Sequence, residues 1–176
     1  MTSEHVAGAD HIVIVGAMAT GKTSIGAGLA RQLGLPFIDS DRQLTARTGS
    51  SGAAIAATEG VPALHRLELE VLWEALRSKQ PHVVAAAASV IEDPEVRAAL
   101  EPLRCIWLTA EPQEVYQRLP AGSHRRPLGG EEAARVAGRS TLYEACADFA
   151  LDTTGLDVND AVAHLVDQLV GGDSNG

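Results

Sequence analysis

The chain has 176 residues and a mass of 18.4 kDa, a length that fits one compact domain with a single substantial core and excludes a second full one. Twelve Arg and two Lys stand against 23 acidic residues, for a net charge of −9 and a pI near 5.0; binding to duplex phosphates, which needs a basic face, is thereby excluded as the main task. Aromatic residues make up 3% of the chain and hydrophobic ones 45%, which argues against a base-stacking surface and predicts a core of Ala, Val, Leu and Ile.

No apolar run approaches the roughly 20 residues that span a bilayer, and the opening MTSEHVAGAD lacks a charged start followed by an apolar stretch, so a cytoplasmic chain with no membrane partner is expected. Cys105 and Cys146 lie in apolar segments and are too few for a disulfide framework or zinc site, which predicts buried free thiols. Residues 11–16 (HIVIVG) are β-branched and end on glycine, the pattern of a strand buried on both faces. SIGAGLARQLG follows, apolar at Ile25, Leu29 and Leu33 and closed by Gly34, as a helix. Further strands are predicted at 35–39, 82–87, 104–109 and 148–153. Helical patterns lie between and after them: RLELEVLWEAL, PEVRAALEPL, PQEVYQRL, EEAARVAG and VNDAVAHLVDQLV. This alternation predicts an α/β fold, a mostly parallel sheet with helices on both faces, in one domain over 11–171 with frayed ends. Residues 120–132 (PAGSHRRPLGGEE) carry Pro, Gly and paired Arg, which predicts a mobile loop that reads charge.

Gly16-Ala17-Met18-Ala19-Thr20-Gly21-Lys22-Thr23 matches G-x-x-x-x-G-K-[ST] and sits between the first strand and the helix that Ser24 continues. The glycines let the backbone curl so that successive N–H groups face an anion, and the helix adds its positive end. Lys22 would reach the β and γ phosphates of a nucleoside triphosphate, with the Thr23 hydroxyl on Mg²⁺. Hydrolysis, transfer and switching all use this cradle, so the chemistry must be read elsewhere.

After the second strand comes Phe37-Ile38-Asp39-Ser40-Asp41-Arg42, and later ARTGSSGAAIAATEG, LHRLELEVL, RRPL and GRSTLYEACAD. In this order the segments resemble the shikimate kinase family over nearly the whole chain, from residue 12 to about 170. Residue spacing alone puts Asp39 and Asp41 at i and i+2 on a strand end, both toward the phosphate edge; the alternative for one of them is simple capping of the helix DRQLTART. The resemblance implies a five-stranded parallel P-loop kinase, monomeric, using ATP and Mg²⁺ on a small-molecule acceptor. It implies that Asp39 holds Mg²⁺ through water and that Asp41 binds the acceptor hydroxyl and helps remove its proton. It implies that Arg126 in a lid over 120–132 folds over the triphosphate, that Arg118 approaches the adenine, and that Arg139 reads the acceptor's carboxylate.

The family pattern breaks at two places. Aligning Gly60 and Glu68 with the ends of G-E-x-x-F-R-x-x-E puts Val61 at the Glu, Leu64 at the Phe and His65 at the Arg, so one carboxylate-reading arginine is replaced. Arg66 projects about 100° away on a helix and is a poor substitute. The Gly-Gly-Gly turn falls on Ala86-Ala87-Ala88-Ser89, where Ala87 and Ala88 would meet the acceptor; their methyls either change the turn or enter the pocket. Ala19 likewise replaces a cradle glycine. Three readings follow: a kinase of shikimate with a repacked pocket, a kinase of another polyhydroxylated acceptor such as a sugar acid or cyclitol, or a nucleotide-binding regulatory protein. Lys22, Thr23, Asp39, Asp41, Arg126 and Arg139 together favour phosphoryl transfer.

Overall fold

The computed structural model describes residues 10–118 and 130–171, with backbone alone for 130–136 and 171. Five strands run parallel: β1 (Ile12–Gly16), β2 (Phe37–Asp39), β3 (Val83–Ala85), β4 (Arg104–Thr109) and β5 (Phe149–Asp152), in the order β2-β3-β1-β4-β5. Among the described residues eight helices connect and cover them: α1 (Lys22–Leu33), α2 (Ser40–Thr48), α3 (Gly52–Thr58), α4 (Val61–Leu76), α5 (Pro94–Leu100), α6 (Pro112–Arg118), α7 (Gly130–Cys146) and α8 (Val158–Gly171). Every predicted strand is present, each within two residues of its expected ends. Helix α3 was not predicted, because GAAIAAT has one large apolar residue, Ile55, and no face to read. Helix α7 runs well beyond the predicted EEAARVAG, through the segment that holds Arg139 and Tyr143.

The alternating strands divide the core into two layers. Ile12, Ile14, Val83, Ile106 and Leu108 meet α1 and α8 through Ile25, Leu29, Ala161, Val162 and Leu165. Val13, Val15, Val84 and Cys105 face the other way, onto Leu72 and Leu76 of α4, Leu100 of α5 and Tyr143 of α7; Trp73 and Trp107 pack at the margin of this layer. Both cysteines are free, but only Cys105 is fully buried; Cys146 is half-exposed at the end of α7. Among the described residues no helix is long and apolar enough to cross a membrane.

Strand β1 is central. From it and its neighbour β4 the chain departs in opposite directions, to β2 and to β5, which opens a crevice at the carboxyl edge of the sheet where ligands of such folds bind. The Gly-rich turn leaves β1 at that point. Gly16 has φ +144°, and a Cβ there would collide with the Leu108 carbonyl oxygen of β4, so only glycine lets the chain turn this close to its neighbour.

Candidate active site

The turn after Gly16 curls as its motif requires. Gly21 is left-handed at φ +98°, and Ala19, at φ +63°, is the one non-glycine in that region among the described residues. An alanine there carries roughly 1–2 kcal/mol of backbone strain that glycine would avoid, so the sequence departure at Ala19 has a local cost. The Thr20 hydroxyl braces the turn by donating to the Ala17 carbonyl at 2.9 Å. Lys22 folds over it and donates to the carbonyls of Gly16 and Ala17 at 2.9 and 2.7 Å. Desolvation lowers the Lys22 pKa to about 8, with Asp41 and Asp39 opposing the shift and Arg139 adding to it. These four side chains therefore share one electrostatic neighbourhood.

Asp39 closes β2 and caps α2 at once. Its Oδ1 accepts from the Arg42 N–H at 3.0 Å, while Oδ2 accepts from the Thr23 hydroxyl at 2.6 Å. Capping and the phosphate edge, set against each other by sequence, are served by the two oxygens of one carboxylate. The expected i, i+2 strand geometry is not what joins Asp39 to Asp41: β2 ends at Asp39, and Asp41 already lies in the first turn of α2. There the positive helix end favours a carboxylate, and Asp41 lines the nucleotide cleft. The cleft holds about 380 Å³ between Met18, Ala19, Gly21, Lys22, Thr23, Ser24, Asp41, Arg118, Thr153, Leu156 and Val158.

Arg118 reaches this cleft from α6. Its guanidinium donates to the Thr153 hydroxyl at 2.9 Å and to the Thr153 carbonyl at 2.8 Å, and it pairs with Glu114. Thr153 was not singled out from sequence, yet it is buried where β5 ends, its hydroxyl 3.0 Å from the Thr20 carbonyl and 2.9 Å from that of Thr109. It ties the phosphate turn to the wall that carries Arg118. A lone threonine after a strand gives no pattern to find it by.

On the opposite side stand the residues expected to read an acceptor. The alanine turn leaves β3 with Ala86 and Ala87 buried, and none of its residues has positive φ. The turn therefore needs no glycine, and what replacement of Gly-Gly-Gly changes here is the added methyls. Ser89 donates its hydroxyl to Glu68 of α4, and His65 is one turn earlier on the same helix face, half-buried. Arg66 is 67% exposed and leans toward Glu70 at 4.0 Å, so it does not take the place of the missing arginine. Arg139 extends from α7 with its side chain 13% exposed, and its Nε donates to Glu92 at 2.6 Å. One turn on, the Tyr143 hydroxyl donates to the Ala88 carbonyl at 2.7 Å, with its ring stacked on Trp107. Arg126 and Arg125 lie outside the described residues, as does the expected loop up to residue 129; residues 130–132 open α7.

A family model described as shikimate kinase matches residues 18–170 of the chain. The shikimate kinase of Symbiobacterium thermophilum is 34% identical over 166 residues, 90% of this chain and 95% of that protein. That of Enterococcus faecalis is 30% identical over 167 residues, 91% and 98% of the two chains. Among solved structures, a shikimate kinase from Acinetobacter baumannii in complex with shikimate superposes with a TM-score of 0.81 at 23% identity, over 94% of this chain and 96% of that one.

Proposed function

The chain belongs to the shikimate kinase family, and from that membership we propose that it transfers the γ-phosphate of ATP to a hydroxyl of shikimate. The observation that carries the reading is the convergence, on one cleft at the carboxyl edge of the sheet, of Lys22, Thr23, Asp39 and Asp41 with Arg118 behind them.

Catalysis of this kind is positioning and charge stabilisation. Lys22 exchanges the carbonyls of Gly16 and Ala17 for the β and γ phosphates, whose charge favours its ammonium form. Asp41 orients the acceptor hydroxyl and accepts its proton as the hydroxyl oxygen bonds to the γ-phosphorus and the bond to the ADP oxygen breaks. Arg118 binds the nucleotide on the far side of the cleft. The donor set also fits Mg²⁺: the Thr23 hydroxyl and an Asp39 oxygen, both hard ligands, are 2.6 Å apart beside the phosphate turn. Thr23 directly and Asp39 through water would hold the ion, which when bound neutralises charge on the phosphates. Arg139 reads the shikimate carboxylate, with His65 at the position of the family's second arginine and the methyls of Ala87 and Ala88 against the ring. Arg126 is assigned to the triphosphate on the R-P-L resemblance alone.

The test is ADP release by the purified protein with Mg²⁺ and ATP, with and without shikimate, together with the mass of the product. Shikimate-dependent release and a product one phosphate heavier are expected, and Lys22→Ala is expected to lose at least about a hundredfold in kcat/KM. ATP binding with no release stimulated by shikimate would overturn the acceptor assignment.

A further inference from the structure

Arg139 meets a carboxylate of the protein's own. Its Nε donates to Glu92 at 2.6 Å in a pair whose side chains are only 13% and 26% exposed. Glu92 closes a 3-10 turn, Val90–Glu92, that follows the alanine turn directly. The position is held from two sides. Arg97 of α5 donates through one nitrogen to the carbonyls of Ile91 and Glu92, each at 2.8 Å, and the next residue, Asp93, caps α5 through the N–H groups of Glu95 and Val96. Arg139 is held equally well, since Tyr143 one turn later fastens α7 to the Ala88 carbonyl.

An arginine can grip a carboxylate bidentately along its Nε–Nη edge or across its two terminal nitrogens. The bond to Glu92 closes the first edge and, among the described residues, leaves the second. It also sets a negative charge directly against the guanidinium. From this geometry we infer that Glu92 is a specificity-determining residue: it occupies the Nε edge of Arg139, offsets its charge, and weakens selection for a carboxylate on the acceptor relative to selection through hydroxyl groups. The inference rests on the acceptor reading proposed above and assigns a residue that the family's motifs do not include.

The experiment measures binding of shikimate and of its carboxamide analogue, in the presence of MgADP, to the wild type, Glu92→Gln and Glu92→Ala, alongside steady-state kinetics with shikimate. Removing the charge is expected to tighten shikimate about tenfold, while the carboxamide changes less than about twofold, and KM for shikimate falls with kcat nearly unchanged. The Ala variant supplies the same comparison should the Gln variant not fold. Equal shifts for both ligands would make Glu92 merely structural, and weaker shikimate binding would make it an aid to Arg139; either overturns the inference while leaving the kinase reading intact. No turnover of shikimate by the wild type or either variant, with ATP still bound, would instead overturn the acceptor reading and the inference with it.

Discussion

Lys22 is one of two lysines in a chain that otherwise uses arginine for positive charge, and it stands where a compact ammonium must enter a tight ring of backbone groups. Burial lowers its pKa to about 8, so the free protein begins to lose that charge within an accessible range. Bound phosphates favour the charged form, so the pKa in the complex lies above that of the free protein. Binding near and above pH 8 therefore takes up a proton. The affinity for a non-hydrolysable ATP analogue is expected to hold between pH 6.5 and 7.5 and to weaken above pH 8, by up to about tenfold per unit. Calorimetry in buffers of different ionisation enthalpy would show the uptake directly; an affinity flat from pH 7 to 9.5 would mean that Lys22 stays charged in the free protein. At this scale the sequence was most legible where a motif prescribes a residue type at fixed spacing: Lys22, Thr23 and Asp39 are all where the pattern puts them. It was least legible for Thr153 and Glu92, single residues whose partners lie far along the chain and which no local pattern marks.

The elements show the same division for a physical reason. The inner strands β1, β3 and β4 read as largely buried apolar runs, while β2 and β5, the half-exposed edge strands, were placed by their shorter apolar stretches and the punctuation around them. Helix α3 has no such face, and the geometry between Asp39 and Asp41 depended on where β2 gives way to α2, a boundary that a cap sets rather than a period. Helix α7 was readable only in part, yet it connects the two halves of the acceptor side, presenting Arg139 and fastening itself to the alanine turn through Tyr143. Tyr143 is 3% exposed, and burial raises its pKa to about 12, so it remains a neutral donor throughout the working range. Tyr143→Phe keeps the ring on Trp107 but leaves the Ala88 carbonyl without this donor, at about 1–3 kcal/mol. The expected result is a KM for shikimate raised several-fold with the KM for ATP unchanged. Steady-state kinetics varying each substrate separates the outcomes: equal rises in both would place the effect in global stability instead of in α7.

At the scale of the whole molecule the sheet has two ends with different tasks. Its carboxyl edge gathers the charged site, while its amino edge buries His11, fully enclosed, with neither ring nitrogen hydrogen-bonded among the described residues and its ring 5.8 Å from that of His82. Sequence placed the histidine at the head of a strand read as buried on both faces; that both its ring nitrogens would be left without a hydrogen bond is decided only by the assembled layers. Burial is the main cause lowering the His11 pKa below 6.5; His82 adds to it, while the nearby backbone of Ser78 and Leu76 and the Asp10 charge oppose it. Below pH 6.5 the unfolded chain then binds a proton more readily than the folded chain, so this group's contribution is complete above the unfolded pKa and is lost as pH falls beneath it. The loss can reach about 1.4 kcal/mol per pH unit for one proton. The net charge of −9 acts in the opposite sense, because acid relieves self-repulsion, so the wild-type profile alone cannot isolate the histidine. Comparison with His11→Leu does, since both proteins carry the same acidic residues and leucine leaves no buried nitrogen to protonate. Urea unfolding of the two at pH 7.5 and 5.5 is expected to show the variant gaining on the wild type as the pH falls, by an amount below about 1.4 kcal/mol. Since His11 is at the edge remote from Lys22 and Asp41, KM for ATP should be the same in both proteins at either pH. A constant stability difference between the two pH values would show that His11 is charged in the folded protein, or that water reaches it at this end of the sheet.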